Sequence, residues 1–317
     1  MADSDVRADK KVQTMTDHNV YDSDQTDDLP SNWGRWGDDD ERGTLNLITA
    51  ESRLRGYAEL ASGEVVSLAV PISPSLFAGG GPWPRSQVLS PPPVQQTMTY
   101  TGSPPRALSD VLLIYTHHVH MTHIDALAHI PLDGLVYPGK SLFETTRGGT
   151  INHGSTSAFT GGIVTRGILL DLAPGARLDA EYVIHAADLD AALERTGRSL
   201  EPGDAVVIRG GWRVREREDI DDPYPYFALD VIQWLADHDV SIIASDVGDR
   251  VLSKPGAEIP LHDVALARLG MPLIDGAEVE ELAETADRLG RWAFLFVCGP
   301  MPVQNSTGVP VNPLALF

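Results

Sequence analysis

Five of the ten histidines in this 317-residue chain lie between positions 117 and 129. They stand in the run Thr116-His117-His118-Val119-His120-Met121-Thr122-His123-Ile124-Asp125-Ala126-Leu127-Ala128-His129. Imidazole nitrogens and a carboxylate are the donors that suit zinc, manganese or ferrous iron. Residues two apart on a strand face the same way, about 6.5–7 Å apart at Cα. His123 and Asp125 are therefore spaced to reach one ion from one side of the backbone. A lone histidine is usually a hydrogen-bonded bystander, and a His-rich surface tract can sequester metal without catalysis. Neither description suits a cluster that follows the apolar run 111–115 and precedes Ala126-Leu127-Ala128.

The elements that must position these residues alternate in type. Apolar runs at 65–70, 111–115, 167–172, 205–209, 241–245 and 292–297 read as strands, and 187–195, 227–238, 262–269 and 278–286 as helices. Thr49 opens a further short helix, with Leu54, Tyr57, Ala58 and Ala61 at helical spacing. Together they predict an α/β protein with a mixed sheet, in one domain over 29–317. Residues 1–28, rich in Asp, Ser and Thr, read as an acidic tail that is solvated or ordered by a partner. Residues 71–106, dense in Pro and Gly, read as a long loop over a site. Asp246 follows the strand 241–245, a common location for functional groups in α/β folds. It either steadies a ligand histidine from behind or caps a turn. Arg166 and Arg209 read as carboxylate binders or as structural ion pairs.

Composition narrows the function classes. The formal net charge of −21 argues against nucleic acid or an anionic membrane as partner. Arg outnumbers Lys by 20 to 4, and an acidic chain poor in Lys fits a high-salt habitat as well as an ordinary acidic enzyme. No run approaches the roughly 18 apolar residues of a membrane helix, and no export signal stands at the start, which makes the cytoplasm the expected location. Cys298 is the single cysteine, so disulfides within the chain and multi-cysteine zinc sites are excluded. Gly79-Gly80-Gly81 lacks the Lys-Ser/Thr of a phosphate cradle. Ser155 and Ser157 lack a Gly-x-Ser-x-Gly setting.

The segment Thr122-His123-Ile124-Asp125-Ala126-Leu127-Ala128-His129 resembles the His-x-Gly-Thr-His-x-Asp-x-x-x-His signature of the cyclase family of metal-dependent hydrolases, which includes bacterial kynurenine formamidase and isatin hydrolase. The likeness continues in Asp133-Gly134 with Tyr137, in 161–167, in Pro202-Gly203-Asp204 and in Gly211-Trp212. It resumes at Ser245-Asp246, at His262 with Gly270 and Leu273-Ile274-Asp275, and at Thr307-Gly308 with Asn312-Pro313. Trp33-Gly34-Arg35-Trp36-Gly37 and Gly43-Thr44-Leu45-Asn46 are like the longer members. The resemblance implies a single swivelling-type β/β/α domain, a homodimer or homotetramer, and a divalent Mn or Zn cofactor. It makes His123 and Asp125 metal ligands, with His262 and the more weakly matched Asp275 as later ones, and His129 the proton shuttle.

The implied reaction is hydrolysis of an amide, cyclic imide or lactone-type bond in a small molecule through a metal-activated water. Trp33, Trp36, Phe77 and Trp83 become candidates for the pocket wall, against ordinary packing for each. Two residues depart from the signature: Val119 stands where the first ligand belongs, and Met121 where the glycine does. On an extended backbone His117 would lie about 20 Å from His123, so His120 is the closest substitute, though its parity requires a bulge or turn; the alternatives are a site with fewer protein ligands and more water, or one that has lost its metal. A non-catalytic binding protein and a metal-assisted dehydratase or cyclase are the rival readings.

Overall fold

The computed structural model describes residues 28–72, 93–213, 223–250 and 259–317. Residues 1–27 of the 1–28 tail and the pocket-wall candidates Phe77 and Trp83 lie outside them. A nine-stranded mixed sheet organises the molecule. In chain order the strands that matter here are β1 (Val65–Ser67), β2 (Val94–Thr101), β3 (Ala107–Ile114), β4 (His123–Asp125), β5 (Ile163–Asp171), β6 (Ala205–Arg209), β7 (Ile242–Ser245), β8 (Leu273–Asp275), β9 (Ala293–Cys298), β10 (Gly308–Pro310) and β11 (Leu314–Leu316). The large sheet runs β1-β11-β9-β5-β6-β7-β8-β4-β10, while β2 and β3 pair only with each other.

The four central strands β5 to β8 are parallel. Parallel strands are covered on both faces and read as unbroken apolar runs. Ile168, Leu169, Leu170, Val206, Val207 and Ile208 are accordingly fully buried, each contributing roughly 1.5–3 kcal/mol of transfer free energy. Helices α2 (Ala186–Thr196) and α3 (Asp230–Asp237) and a π-helix (Leu261–Leu269) connect these strands in turn, and α4 (Glu280–Leu289) follows β8. The α/β alternation expected from periodicity is present.

Two expectations are corrected. Helix α1 (Ala50–Ala58) forms, with the Thr49 side chain accepting from the Ser52 amide, but Leu54 and Tyr57 are 63% and 49% exposed. The buried face is instead Ser52 and Gly56, because a Cβ at Gly56 would stand 2.8 Å from the Thr165 backbone of β5. Close backbone approach, not apolar periodicity, docks this helix. In the stretch 71–106 expected as a loop, Val94–Thr101 is a strand; its β-branched and aromatic content outweighs the nearby prolines.

Among the described residues no helix is long and apolar enough to cross a membrane.

Candidate metal centre

Sheet register builds one side of the site. In the antiparallel pair β4–β8, His123 lies opposite Asp275 and Ile124 opposite Ile274. Opposed residues share a face, and so do residues two apart. His123, Asp125 and Asp275 therefore project to one side, while Ile124 and Ile274 are buried on the other. On the far side of β4, Gly308 opposes Asp125.

The third donor on that side is His117. The chain turns over 116–121 instead of continuing β3 into β4, and the His117 ring folds back over Gly308. A Cβ at Gly308 would fall 2.6 Å from His117 Cε1, so only glycine leaves room. His117 Nε2 lies 3.0 Å from Thr307 Oγ1, and Nδ1 is 2.9 Å from Asp125 Oδ1. This overturns the 20 Å separation, which assumed an extended backbone.

His120, the expected substitute, is buried beside His118 at 5.4 Å between ring centroids. Among the described residues it belongs to neither group of donors close enough to share an ion; those are His117, His123 and Asp125, and Asp125, His262 and Asp275. His117→Ala is expected to weaken metal binding about 100-fold, one ligand's share of a zinc site's roughly 10–16 kcal/mol. His120→Ala should leave it within about threefold, as read by calorimetric titration of metal-free protein.

The second group is held by the π-helix, a rare geometry that recurs at functional sites. His262 Nε2 lies 3.0 Å from Asp275 Oδ2 and 3.4 Å from Asp125 Oδ2. Its Nδ1 donates to Asp249 Oδ2 at 2.9 Å, and Asp249 also accepts the amides of Leu261 and His262. Asp249 thus orients the imidazole, the role weighed for Asp246. Asp246 takes the other alternative: it accepts the backbone amides of Gly210, Gly211 and Trp212 at 2.6, 2.9 and 2.9 Å and closes that turn. Asp249 went unnoticed because its partner lies 13 residues on, at no regular spacing. His123 is oriented similarly, its Nδ1 donating to the Met121 carbonyl at 2.7 Å, so that Nε2 faces Asp125 at 3.4 Å.

The donor chemistry fits a divalent cation. Two ligands about 2.1 Å from a tetrahedral ion sit about 3.4 Å apart, and the contacts above run from 2.9 to 3.4 Å. Asp125 is fully buried. Neither of its oxygens, nor His117 Nδ1, has an aligned hydrogen-bond partner; the 2.9 Å approach of His117 is close without hydrogen-bond geometry. Buried polar groups in this state are rare and call for an explanation, and a shared ion supplies one.

Electrostatics follow from the cluster. Burial pushes the Asp125 carboxyl up, but the imidazoles of His129 and His123 and contacts to His117 and His262 outweigh it and hold the group well below the usual range. Burial depresses His262, yet Asp275, Asp125 and Asp249 lift it well above an ordinary histidine. His129 moves the other way. Burial, only partly offset by Asp125, brings it down to about 4. Its ring stacks on His117 at 3.6 Å and meets His262 edge-on at 6.2 Å, and neither nitrogen has a protein hydrogen-bond partner among the described residues. A neutral, unengaged imidazole beside both donor groups can take up or deliver a proton.

The family model for cyclases matches residues 66–249, more than half of the chain. The chain belongs to the cyclase family. A solved structure described as a novel cyclase is 28% identical, with a TM-score of 0.78, over 91% of this chain and 98% of that one. An isatin hydrolase bound to the product analogue thioisatinate is 19% identical, with a TM-score of 0.60, over 85% and 99%. Isatin hydrolase A from Ralstonia solanacearum is 20% identical, with a TM-score of 0.56, over 84% and 97%. The last two share the fold. Among curated proteins, none matches.

In this cyclase-family chain the tryptophans expected at the pocket wall do other work. Trp33 Nε1 donates to the carbonyl of Ala267, the Asn32 amide to Arg268, Asn32 Nδ2 to Leu269 and the Thr44 amide to Gly270, all at 2.8–2.9 Å. These are the last carbonyls of the π-helix, which no turn of the same helix can satisfy. Residues 32–44 therefore cap the element that carries His262. Trp36 packs against the core with the Arg35 guanidinium 4.8 Å from its ring. Arg166 and Arg209 form ion pairs, with Asp204 and with Asp171 and Glu280.

Proposed function

We propose that this protein is a metal-dependent hydrolase that opens an amide, cyclic imide or lactone-type carbonyl bond in a small molecule, using divalent Mn or Zn and His129 as proton carrier. The observation that carries the reading is Asp125, a buried carboxylate shared by two donor groups with no aligned donor on either oxygen. When bound, the ion polarises the substrate carbonyl and lowers the pKa of its water towards about 7. His117, His123 and Asp125 would hold it together with Asp275 and with His262, whose imidazole is backed by Asp249. His129 is neutral at pH 7, so it accepts a proton from the attacking water. Once protonated, with a pKa of about 4, it gives that proton up readily to the departing nitrogen or oxygen. The binding-protein reading drew on the ligand missing at Val119, and His117 supplies a donor in its stead.

The test is turnover of a panel of formamides, cyclic imides and lactones by chelator-treated protein, with and without added Mn or Zn. Metal-dependent ring or amide opening is the expected result. Ligand bound but unchanged, at every metal level, would move the reading to a binding protein. Release of water without hydrolysis would move it to a dehydratase.

A further consequence concerns pH. His262 is raised well above 6.5 in the metal-free protein, so its Nε2 is protonated at pH 7 and must lose that proton to act as a ligand. Metal uptake then releases a proton, and affinity should rise about tenfold per pH unit through neutrality, towards the folded pKa. Titrations in two buffers of different ionisation enthalpy read the proton count directly. A pH-independent affinity would remove His262 from the ligand set.

A further inference from the structure

A cavity of about 940 Å³ opens where β5 and β6 end, and no metal donor is among its lining residues. Asp171 and the buried Arg209, the last residues of those two strands, lie at its base. Open α/β sheets take ligands in the crevice beyond the carboxyl ends of their strands, and the volume is within the usual range for small-molecule sites.

Arg209 builds this base and keeps no donor for a ligand. Its five N–H groups go to Asp171 Oδ1, to the carbonyls of Ala173 and Ala176, and to both oxygens of Glu280, all at 2.7–3.0 Å. The exposed charges of the lining are held differently. Arg195 donates to the Asp171 carbonyl at 2.6 Å, and the Arg177 guanidinium lies 4.8 Å from the centre of the Trp212 ring. Both cations are thus positioned without being neutralised. Helix α4 brings the other sign, with Glu280, Glu284 and Asp287 at the spacing of one helix face. Glu280 is engaged by Arg209, while Glu284 and Asp287 are exposed. Among the described residues, Arg177, Arg195, Glu284 and Asp287 form no ion pair, although all four line the one cavity.

We propose that this cavity is a second ligand site, for a small zwitterion of the amino-acid type with an apolar side chain. The guanidinium forks of Arg177 and Arg195 match a carboxylate, Glu284 and Asp287 match an ammonium, and Trp292 with Ala192 and Ala283 supplies an apolar wall. A simple anion would leave two like charges on one helix face without a counter-charge, and a simple cation would leave the guanidiniums so. The field of a chain of formal charge −21 also repels a simple anion, whereas a zwitterion carries no net charge to repel.

The test is calorimetric titration of chelator-treated protein with L-phenylalanine, L-tryptophan, L-leucine and L-methionine. At least one is expected to bind with a Kd below about 1 mM. The tightest is then compared with the analogues that lack its ammonium or its carboxylate, which for phenylalanine are phenylpropionate and phenylethylamine. Each is expected to bind about 10–100-fold more weakly, the share of one charged hydrogen-bonding group. Arg195→Gln and Glu284→Gln should each weaken the amino acid by a similar factor; both side chains are exposed, so the circular dichroism should not change. No binding by any of the four up to about 10 mM overturns the proposal. So does an analogue that binds as tightly as the amino acid, which would make this a site for a simple ion, or binding that both variants retain, which would place the amino acid elsewhere. No metal or substrate enters these titrations, so their failure leaves the hydrolase reading untouched.

Discussion

Asp125→Asn is expected to lower divalent-metal affinity by about 10⁴-fold and to abolish turnover with it. A zinc site of four ligands is worth roughly 10–16 kcal/mol at neutral pH, or about 3 kcal/mol per ligand, and each 1.4 kcal/mol is tenfold. Asp125 stands in both donor groups, so its loss counts about twice. Asn keeps the shape and removes the charge, which separates electrostatics from packing. The fold should survive, because the strands around β4 are held by Ile124 and Ile274, buried on the opposite face. Metal content after dialysis, with circular dichroism as the fold control, reads the result. A variant that keeps stoichiometric metal would sink the shared-carboxylate assignment.

His129→Ala should have the opposite signature. Metal content stays at the wild-type level, because His129 belongs to neither donor group, while kcat falls by about 10²–10⁴-fold, the usual range for a positioned acid–base group. Added imidazole should restore part of the loss, since the cavity left beside His117 has its dimensions. Loss of metal together with activity would make His129 a ligand instead. An unchanged kcat would place the proton transfer elsewhere.

Much of the fold was legible because parallel strands advertise themselves. The apolar stretches that became β5, β6 and β7 are fully or nearly fully buried, and uninterrupted burial leaves a run that needs no partner to be recognised. Helix α1 was legible as a helix but not in orientation. Its contact face is chosen by how closely two backbones approach at Gly56, and a hydrophobic pattern does not encode that distance. The β2 strand hid within a Pro- and Gly-rich neighbourhood, and only its pairing with β3 reveals it.

The site divides along the same line. That His123 and Asp125 share a face follows from the two-residue period of a strand, a local rule that holds wherever the strand is placed. Asp275 joins them through the cross-strand register of β4 and β8, and Asp249 meets His262 from 13 residues earlier in the chain; neither pairing follows from local spacing. The choice of His117 over His120 was decided by a turn over 116–121 and by the space above Gly308, nearly two hundred residues away in sequence. Covalent spacing specifies which way neighbouring side chains point, so the sequence by itself determined the first pair. Which remote groups converge on that pair depends on the path of the intervening chain, and only the packed structure decides it.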